Sequence, residues 1–247
     1  MKARWSASTV VNELSKITGA ILAGGLGTRL RSAVADRPKV LAPIRQRPFL
    51  AYLLDQLSAA GLRYVVLCTG YMGEQVQATF GESYRGLRLA YSQEPAPLGT
   101  GGALRQAQSL LKSDPVLVMN GDSYCDANLA ALWNWHRDRR SLGTLLLARV
   151  LNAERYGLVR VNEDGAVSQF NEKAADGPGL ISAGIYLLSH RLIEGIPVGR
   201  AASLEREVFP TWVGHGLFAY PCEGRFLDIG TPQDYRRAEL LFASGAI

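Results

Sequence analysis

The sequence lacks any apolar run approaching the roughly 18 residues that a membrane-spanning helix needs, which argues against a chain that crosses a bilayer. Cysteine is scarce: Cys68, Cys125 and Cys222 are an odd number, and no Cys-x-x-Cys pair occurs. A disulfide framework and a cysteine zinc site are therefore not expected, and a reducing cytoplasm is the default location. The net charge of +5 comes without any block of five or six like charges. The basic residues are scattered, so they leave no nucleic-acid footprint and suit small anionic substrates equally well. Met1 to Lys16 hold charges but no apolar core of signal-peptide length. No Gly-x-Ser-x-Gly elbow is present, and His136, His190 and His215 sit near element ends, which disfavours serine-hydrolase chemistry. There is no internal repeat, low-complexity tract or Pro-rich linker.

What the chain does have is length and apolar content enough for a substantial core: 247 residues, 47% of them apolar. The expected organisation is an extension over 1–16 followed by one domain over 17–247. Short runs rich in β-branched residues alternate with helical patterns. Strands are expected at Gly19–Ala23, Tyr64–Thr69, Leu87–Gln93 and Val116–Met119, and helices at Phe49–Ala60, Met72–Phe80, Gly101–Leu111 and Leu129–Arg139. This βαβα rhythm predicts an α/β fold, a Rossmann-like and mainly parallel sheet flanked by helices. In the helix over Leu129–Arg139, helical spacing would bury Trp133 at most among Trp133, Trp135 and His136. Further on, Gly157–Val161 and Ala166–Asn171 flank Asn162-Glu163-Asp164-Gly165 and read as a hairpin, which makes the sheet mixed. Strands at Leu180–Leu188 and Gly216–Pro221, a helix near Leu204–Val213 and a closing helix Pro232–Phe242 complete it. This second half is expected to add a small substrate lobe.

Ala20-Ile21-Leu22-Ala23-Gly24-Gly25-Leu26-Gly27-Thr28-Arg29-Leu30 puts three glycines and a cation straight after a buried strand. In a parallel sheet the carboxyl ends of strands open onto the ligand crevice, where glycines let backbone N–H groups approach phosphate oxygens. Arg29 would add paired donors to a phosphate. A plain strand-to-helix turn with a solvated arginine is the blander alternative. The loop lacks the Gly-Lys-Ser/Thr ending of a P-loop, and Leu30 stands where a dinucleotide fingerprint has its third glycine. Val116 to Asp122 is an apolar strand ending in an acid, and Asp228 likewise follows the run Arg225-Phe226-Leu227. Two such acids converging on one ion would suffice for magnesium, whose other ligands are phosphates and waters. Asp228 before Gly-Thr-Pro is equally readable as a turn initiator, with Thr231 capping the last helix.

Gly24-Gly25-Leu26-Gly27-Thr28-Arg29-Leu30, followed by Pro38-Lys39 and by Pro43, resembles the signature of the sugar-phosphate nucleotidyltransferase family. The resemblance covers about residues 19 to 243. It implies a Rossmann-like nucleotide-binding half and transfer of a nucleotidyl group to a sugar 1-phosphate. It further implies a nucleotide site at Leu22, Ala23, Gly24, Gly25, Gly27, Thr28, Gly99, Thr100 and Gly121. Arg29 would meet the β- and γ-phosphates and Lys39 the α-phosphate region, with Mg²⁺ on Asp122 and Asp228. The loop Glu94 to Ala103 is assigned by resemblance to the nucleobase; by composition alone it is equally a helix-starting connection. Tyr156, Gly157, Glu172, Lys173 and Gly184 resemble sugar-phosphate contacts, although Glu-Lys taken bare reads as a solvated pair. Glu205 also matches an acidic position, but Ser203 with acids after it reads as a helix start, and Glu205 stays outside the expected site.

The sequence departs from many members at Arg31-Ser32, where they have Pro-Leu-Thr. Arg-Ser there looks more like the subgroup that activates D-glycero-D-manno-heptose 1-phosphate with GTP, and Leu-Gly-Thr-Gly-Gly-Ala looks like the loop of guanylyl-transferring members. The partners expected are GTP and that sugar 1-phosphate, with neither nucleic acid nor membrane; assembly into a homo-oligomer is left open. The rival readings are uridylyl or thymidylyl transfer to a hexose or N-acetylated sugar phosphate, and a catalytically silent sugar-nucleotide-binding subunit.

Overall fold

The computed structural model describes residues 7–30, 34, 36–171 and 177–243. In chain order the strands are β1 (Thr18–Ala23), β2 (Pro43–Ile44), β3 (Arg47–Pro48), β4 (Tyr64–Thr69), β5 (Ser83–Tyr84), β6 (Leu87–Gln93), β7 (Val116–Asn120), β8 (Ser123–Cys125), β9 (Gly143–Val150), β10 (Leu158–Val161), β11 (Val167–Asn171), β12 (Gly179–Leu188), β13 (Leu217–Cys222) and β14 (Phe226–Asp228). The helices are α1 (Ala7–Leu14), α2 (Phe49–Ala59), α3 (Gly73–Phe80), α4 (Gly99–Gln106), α5 (Leu129–Arg139), α6 (His190–Glu194), α7 (Phe209–Thr211) and α8 (Pro232–Ala243).

Ten of these strands form one mixed sheet. β1 lies parallel between β4 and β7, and β6 extends the parallel part from β4. β12 joins β7 antiparallel and carries the β10–β11 hairpin at its outer end, while β9 pairs antiparallel with β12 and parallel with β13. The architecture is the expected one, a mainly parallel sheet that the second half completes. Its strands read as continuous apolar runs because both faces are buried. Ile21, Val65, Leu67, Leu117 and Met119 pack on one side with α1, α2, α5 and α8, and Ala20, Val66, Val116 and Val118 on the other with α4 and α6. On α2, Leu50, Leu53, Leu54 and Leu57 are all buried, each contributing about 2 kcal/mol to the core.

β9 is the one long strand that the sequence reading omits. Gly143–Val150 is apolar without alternation because it is covered on both faces, and such a run carries no period that identifies it. The helix expected at Leu204–Val213 is instead a π-helical turn at Leu204–Val208 followed by the short α7. Trp133 is buried as expected, but His136 is buried too, where helical spacing alone leaves it outside. α1 seats Val10 and Leu14 in the core, and Glu13 at its end accepts from Trp133 Nε1 at 2.8 Å and pairs with Arg137 at 2.7 Å. No helix among the described residues is long and apolar enough to cross a membrane.

Register places the site. Ala23 lies opposite Thr69, and Leu22 opposite Asn120, so β1, β4 and β7 finish along one edge. The glycine loop and Asp122 both leave from that edge, as crevice residues of an open sheet should.

Candidate active site

The glycine loop and the Pro97–Thr100 loop enclose a cavity of about 430 Å³. Of the nine residues expected at the nucleotide, Leu22, Ala23, Gly24, Gly25, Gly27, Thr28, Gly99 and Thr100 line it, together with Lys39, Glu94, Asn120 and Asp122. The ninth, Gly121, is buried behind the wall, where its N–H donates to Leu22 O at 2.9 Å. At Gly24 a Cβ would stand 1.9 Å from Glu94 Oε1. Glycine there admits the Glu94 carboxyl, whose Oε2 accepts from Leu98 N at 2.7 Å within its own loop. Burial raises the Glu94 pKa, and the Leu98 N–H opposes that.

Three charged groups meet at the floor. Lys39 Nζ donates to Asp122 Oδ2 at 2.8 Å, with the lysine side chain only 10% exposed, so its charge needs this partner. Asp228 lies in register with Ser123 across β14 and β8, and Ile229 N donates to Asp122 O at 3.0 Å, which brings the two aspartates side by side. Asp228 is held above its usual carboxylate range first by burial and then by the negative charge of Asp122; Lys39 and the Gly230 N–H work the other way. The donor set is thus two adjacent hard carboxylates, one of them penalised for its charge. That is the combination a divalent magnesium ion relieves.

A second cavity, of about 600 Å³, opens on the other side of Asn120, which lines both. Tyr156, Gly157, Arg155, Phe170, Ser182, Tyr186, Ser203, Glu205 and Arg206 line it as well. Tyr156 and Gly157 are where the sequence expects sugar contacts, and the Tyr156 phenol is pushed up to about 12 by burial and then by the charge of Asp228. Glu172 and Lys173 lie outside the described residues.

Arg29 and Gly184, both expected at the site, line neither cavity. Arg29 is exposed in the turn after the glycine loop, lines neither cavity and makes no hydrogen bond or ion pair among the described residues. Gly184 is buried at φ +74° under Asn120; a Cβ there would stand 2.6 Å from Ser123 Oγ and 3.0 Å from Asn120 Cβ and Nδ2. It makes room for Asn120 and does not line the second cavity.

Glu205, outside the expected site, belongs to the crevice. The helix-start reading of Ser203 is right, since Ser203 Oγ accepts from Arg206 N at 3.2 Å, but the same turn carries the Glu205 carboxylate to the seam between the cavities. Asn120, Tyr186 and Ser182 also line the second cavity without being marked by any motif. The only sequence signal was position: Asn120 stands two residues before Asp122 on β7, and Ser182 two before Gly184 on β12.

The nucleotidyl transferase family matches residues 18–244 of the chain. The chain is 39% identical to a mannose-1-phosphate guanylyltransferase from Mycobacterium tuberculosis over 90% of its length, but spans only 63% of that protein. It is 36% identical to a D-glycero-alpha-D-manno-heptose 1-phosphate guanylyltransferase from Aneurinibacillus thermoaerophilus, covering 89% of this chain and 95% of that one. Among solved structures, HddC from Yersinia pseudotuberculosis complexed with GMP-PN superposes with a TM-score of 0.81 at 31% identity, over 92% of this chain and 99% of that chain.

Proposed function

The chain belongs to the nucleotidyl transferase family, and we propose that it transfers a guanylyl group from GTP to a sugar 1-phosphate, D-glycero-D-manno-heptose 1-phosphate first among them, forming a nucleotide sugar and pyrophosphate. The observation that carries this reading is the pair of cavities sharing the wall at Asn120, with Lys39, Asp122 and Asp228 beside it. One holds a nucleoside triphosphate over the glycine loop, and the other a sugar phosphate.

In this reading an oxygen of the sugar 1-phosphate attacks the α-phosphorus of GTP. The bond from that phosphorus to the bridging oxygen breaks, and pyrophosphate leaves from the opposite side. The attacking phosphate is already anionic near neutral pH, so no protein nucleophile is needed and the protein's work is alignment and charge. Backbone N–H groups of the glycine loop cradle the phosphates, Lys39 supplies positive charge at the α-phosphate, and Arg29, without a partner among the described residues, meets the β- and γ-phosphates. Asp122 and Asp228 would hold Mg²⁺, which when bound supplies charge neutralisation along the phosphates. The base rests against Pro97–Thr100, and Tyr156 and Gly157 face the sugar.

Guanine is favoured by the relatives named for guanylyl transfer. Heptose is favoured because the two heptose-named relatives match over 95% of their own length. Mannose 1-phosphate is the second reading, on the strength of the 39% identity to the mycobacterial protein. Pyrophosphate release with Mg²⁺, scanning GTP, UTP, dTTP, CTP and ATP against heptose, mannose, glucose and N-acetylglucosamine 1-phosphates, tests the proposal. Release with GTP plus the heptose phosphate alone supports it. Release with another pair would keep the mechanism and replace the substrates, and silence with nucleotide binding intact would point to a regulatory subunit.

A further inference from the structure

At the seam between the cavities the Glu205 carboxylate accepts four hydrogen bonds. Oε2 accepts from Thr100 Oγ1, on the nucleotide side, at 2.9 Å and from Ser203 Oγ at 3.0 Å. Oε1 faces the sugar side and accepts from Tyr186 Oη at 2.9 Å and Asn120 Nδ2 at 3.3 Å. A carboxylate offers about four lone-pair sites, so these donors leave none for a substrate hydroxyl. Its influence on a ligand must pass through the groups it holds.

Those groups belong to both halves of the crevice. Thr100 lines the nucleotide cavity, and its hydroxyl also accepts from Leu204 N at 2.8 Å. The rest of its loop is fastened to the same segment, with Gly101 N donating to Ala202 O at 2.8 Å and Ala202 N to Leu98 O at 2.9 Å. On the other side, Tyr186 is fully buried beneath the sugar-side cavity, and Asn120 borders both. Asn120 Oδ1 is buried without a partner among the described residues, so the amide is anchored only through Nδ2, to Glu205 and, at 3.5 Å, to Tyr186. Loss of the Glu205 contact frees the amide to turn.

We propose that Glu205 is a positioning residue that ties the base-side loop at Thr100 to the sugar-side floor at Asn120 and Tyr186, so that both substrate sites keep their shape through one carboxylate. The proposal rests on the reading of the crevice given above.

The test is a double-mutant cycle read on both Michaelis constants. Thr100→Val removes the nucleotide-side donor and Tyr186→Phe the sugar-side donor. Each single variant is expected to raise KM for GTP and for the sugar phosphate together, by about tenfold, as for the loss of one hydrogen bond to a charged group. The double variant is expected to be little worse than the worse single, because both act on the same carboxylate. Thr100→Ser, which keeps the hydroxyl, restores both constants. If Thr100→Val changes only the nucleotide KM, Tyr186→Phe only the sugar KM, and the effects multiply, the sites are independent and the proposal falls. Thermal melts exclude unfolding, and should Tyr186→Phe not fold, the sugar-phosphate KM of Thr100→Val decides alone. Absence of turnover in the wild type would overturn the functional reading and this inference together, whereas independent effects in an active wild type overturn only this one.

Discussion

Replacing Gly184 by alanine perturbs the point where β12 passes under the seam of the crevice, and the cost is expected to appear in stability and activity at once. The backbone there holds φ +74°, where an L-residue with a Cβ costs about 1–2 kcal/mol. The added methyl would also stand 2.6 Å from Ser123 Oγ and 3.0 Å from Asn120 Cβ and Nδ2. Ser123 is buried on β8 beside Asp122, so relief requires β12 and β8 to part, an overpacking cost of about 1–3 kcal/mol. A total of about 3 kcal/mol corresponds in a domain of this size to a fall in Tm of about 6–12 °C. Because the displaced group is Asn120, kcat/KM for both substrates should fall with it. Thermal unfolding followed by circular dichroism, with steady-state kinetics on the same sample, makes the check. A variant melting within about 2 °C of wild type with unchanged kinetics would refute the packing argument.

The two aspartates should respond differently to neutralisation. Asp228→Asn removes a charge that burial and Asp122 already penalise, so the melting temperature should hold or rise while kcat falls by about a hundredfold or more. Asp122→Asn should lose activity similarly but also about 1 kcal/mol of stability, because the nearly buried Lys39 loses its counter-charge to a partner that is itself 49% exposed; near-normal turnover in both would refute the metal assignment. His136, buried on α5 and bonded through Nδ1 to Thr144 Oγ1 at 2.8 Å, has its pKa lowered by burial from 6.5 to about 4. The folded state therefore binds this proton less readily than the unfolded chain. Stability is complete above pH 6.5 and is lost progressively down to about pH 4, by about 3 kcal/mol in all. His136→Gln should flatten that part of the curve in denaturant titrations at stepped pH, and an unchanged difference between pH 7 and pH 4.5 would contradict the burial argument.

Most of the sheet and the glycine-loop side of the crevice are legible because their signals are local. A β-branched run, then glycines, then a cation marks β1 and its loop, and an apolar run closing on an acid marks β7 and Asp122. β9 was not legible, since an eight-residue apolar stretch buried on both faces has no periodicity that separates it from a buried helix. At Glu205 the local pattern is a helix start, which the structure bears out at Ser203. Its second duty depends on Thr100, 105 positions away, and Tyr186, 19 positions away, and no local pattern encodes such convergence. Gly184 shows the same limit: the sequence marks it as special, but only packing under Asn120 says why.

The central claim is guanylyl transfer across the seam, and ³¹P NMR of the purified protein with Mg²⁺, GTP and D-glycero-D-manno-heptose 1-phosphate tests it most directly. The account predicts that the GTP and sugar 1-phosphate resonances decline together while a diphosphodiester and pyrophosphate appear in equal amounts. GTP consumed to GDP and inorganic phosphate, with the sugar phosphate untouched, would contradict it.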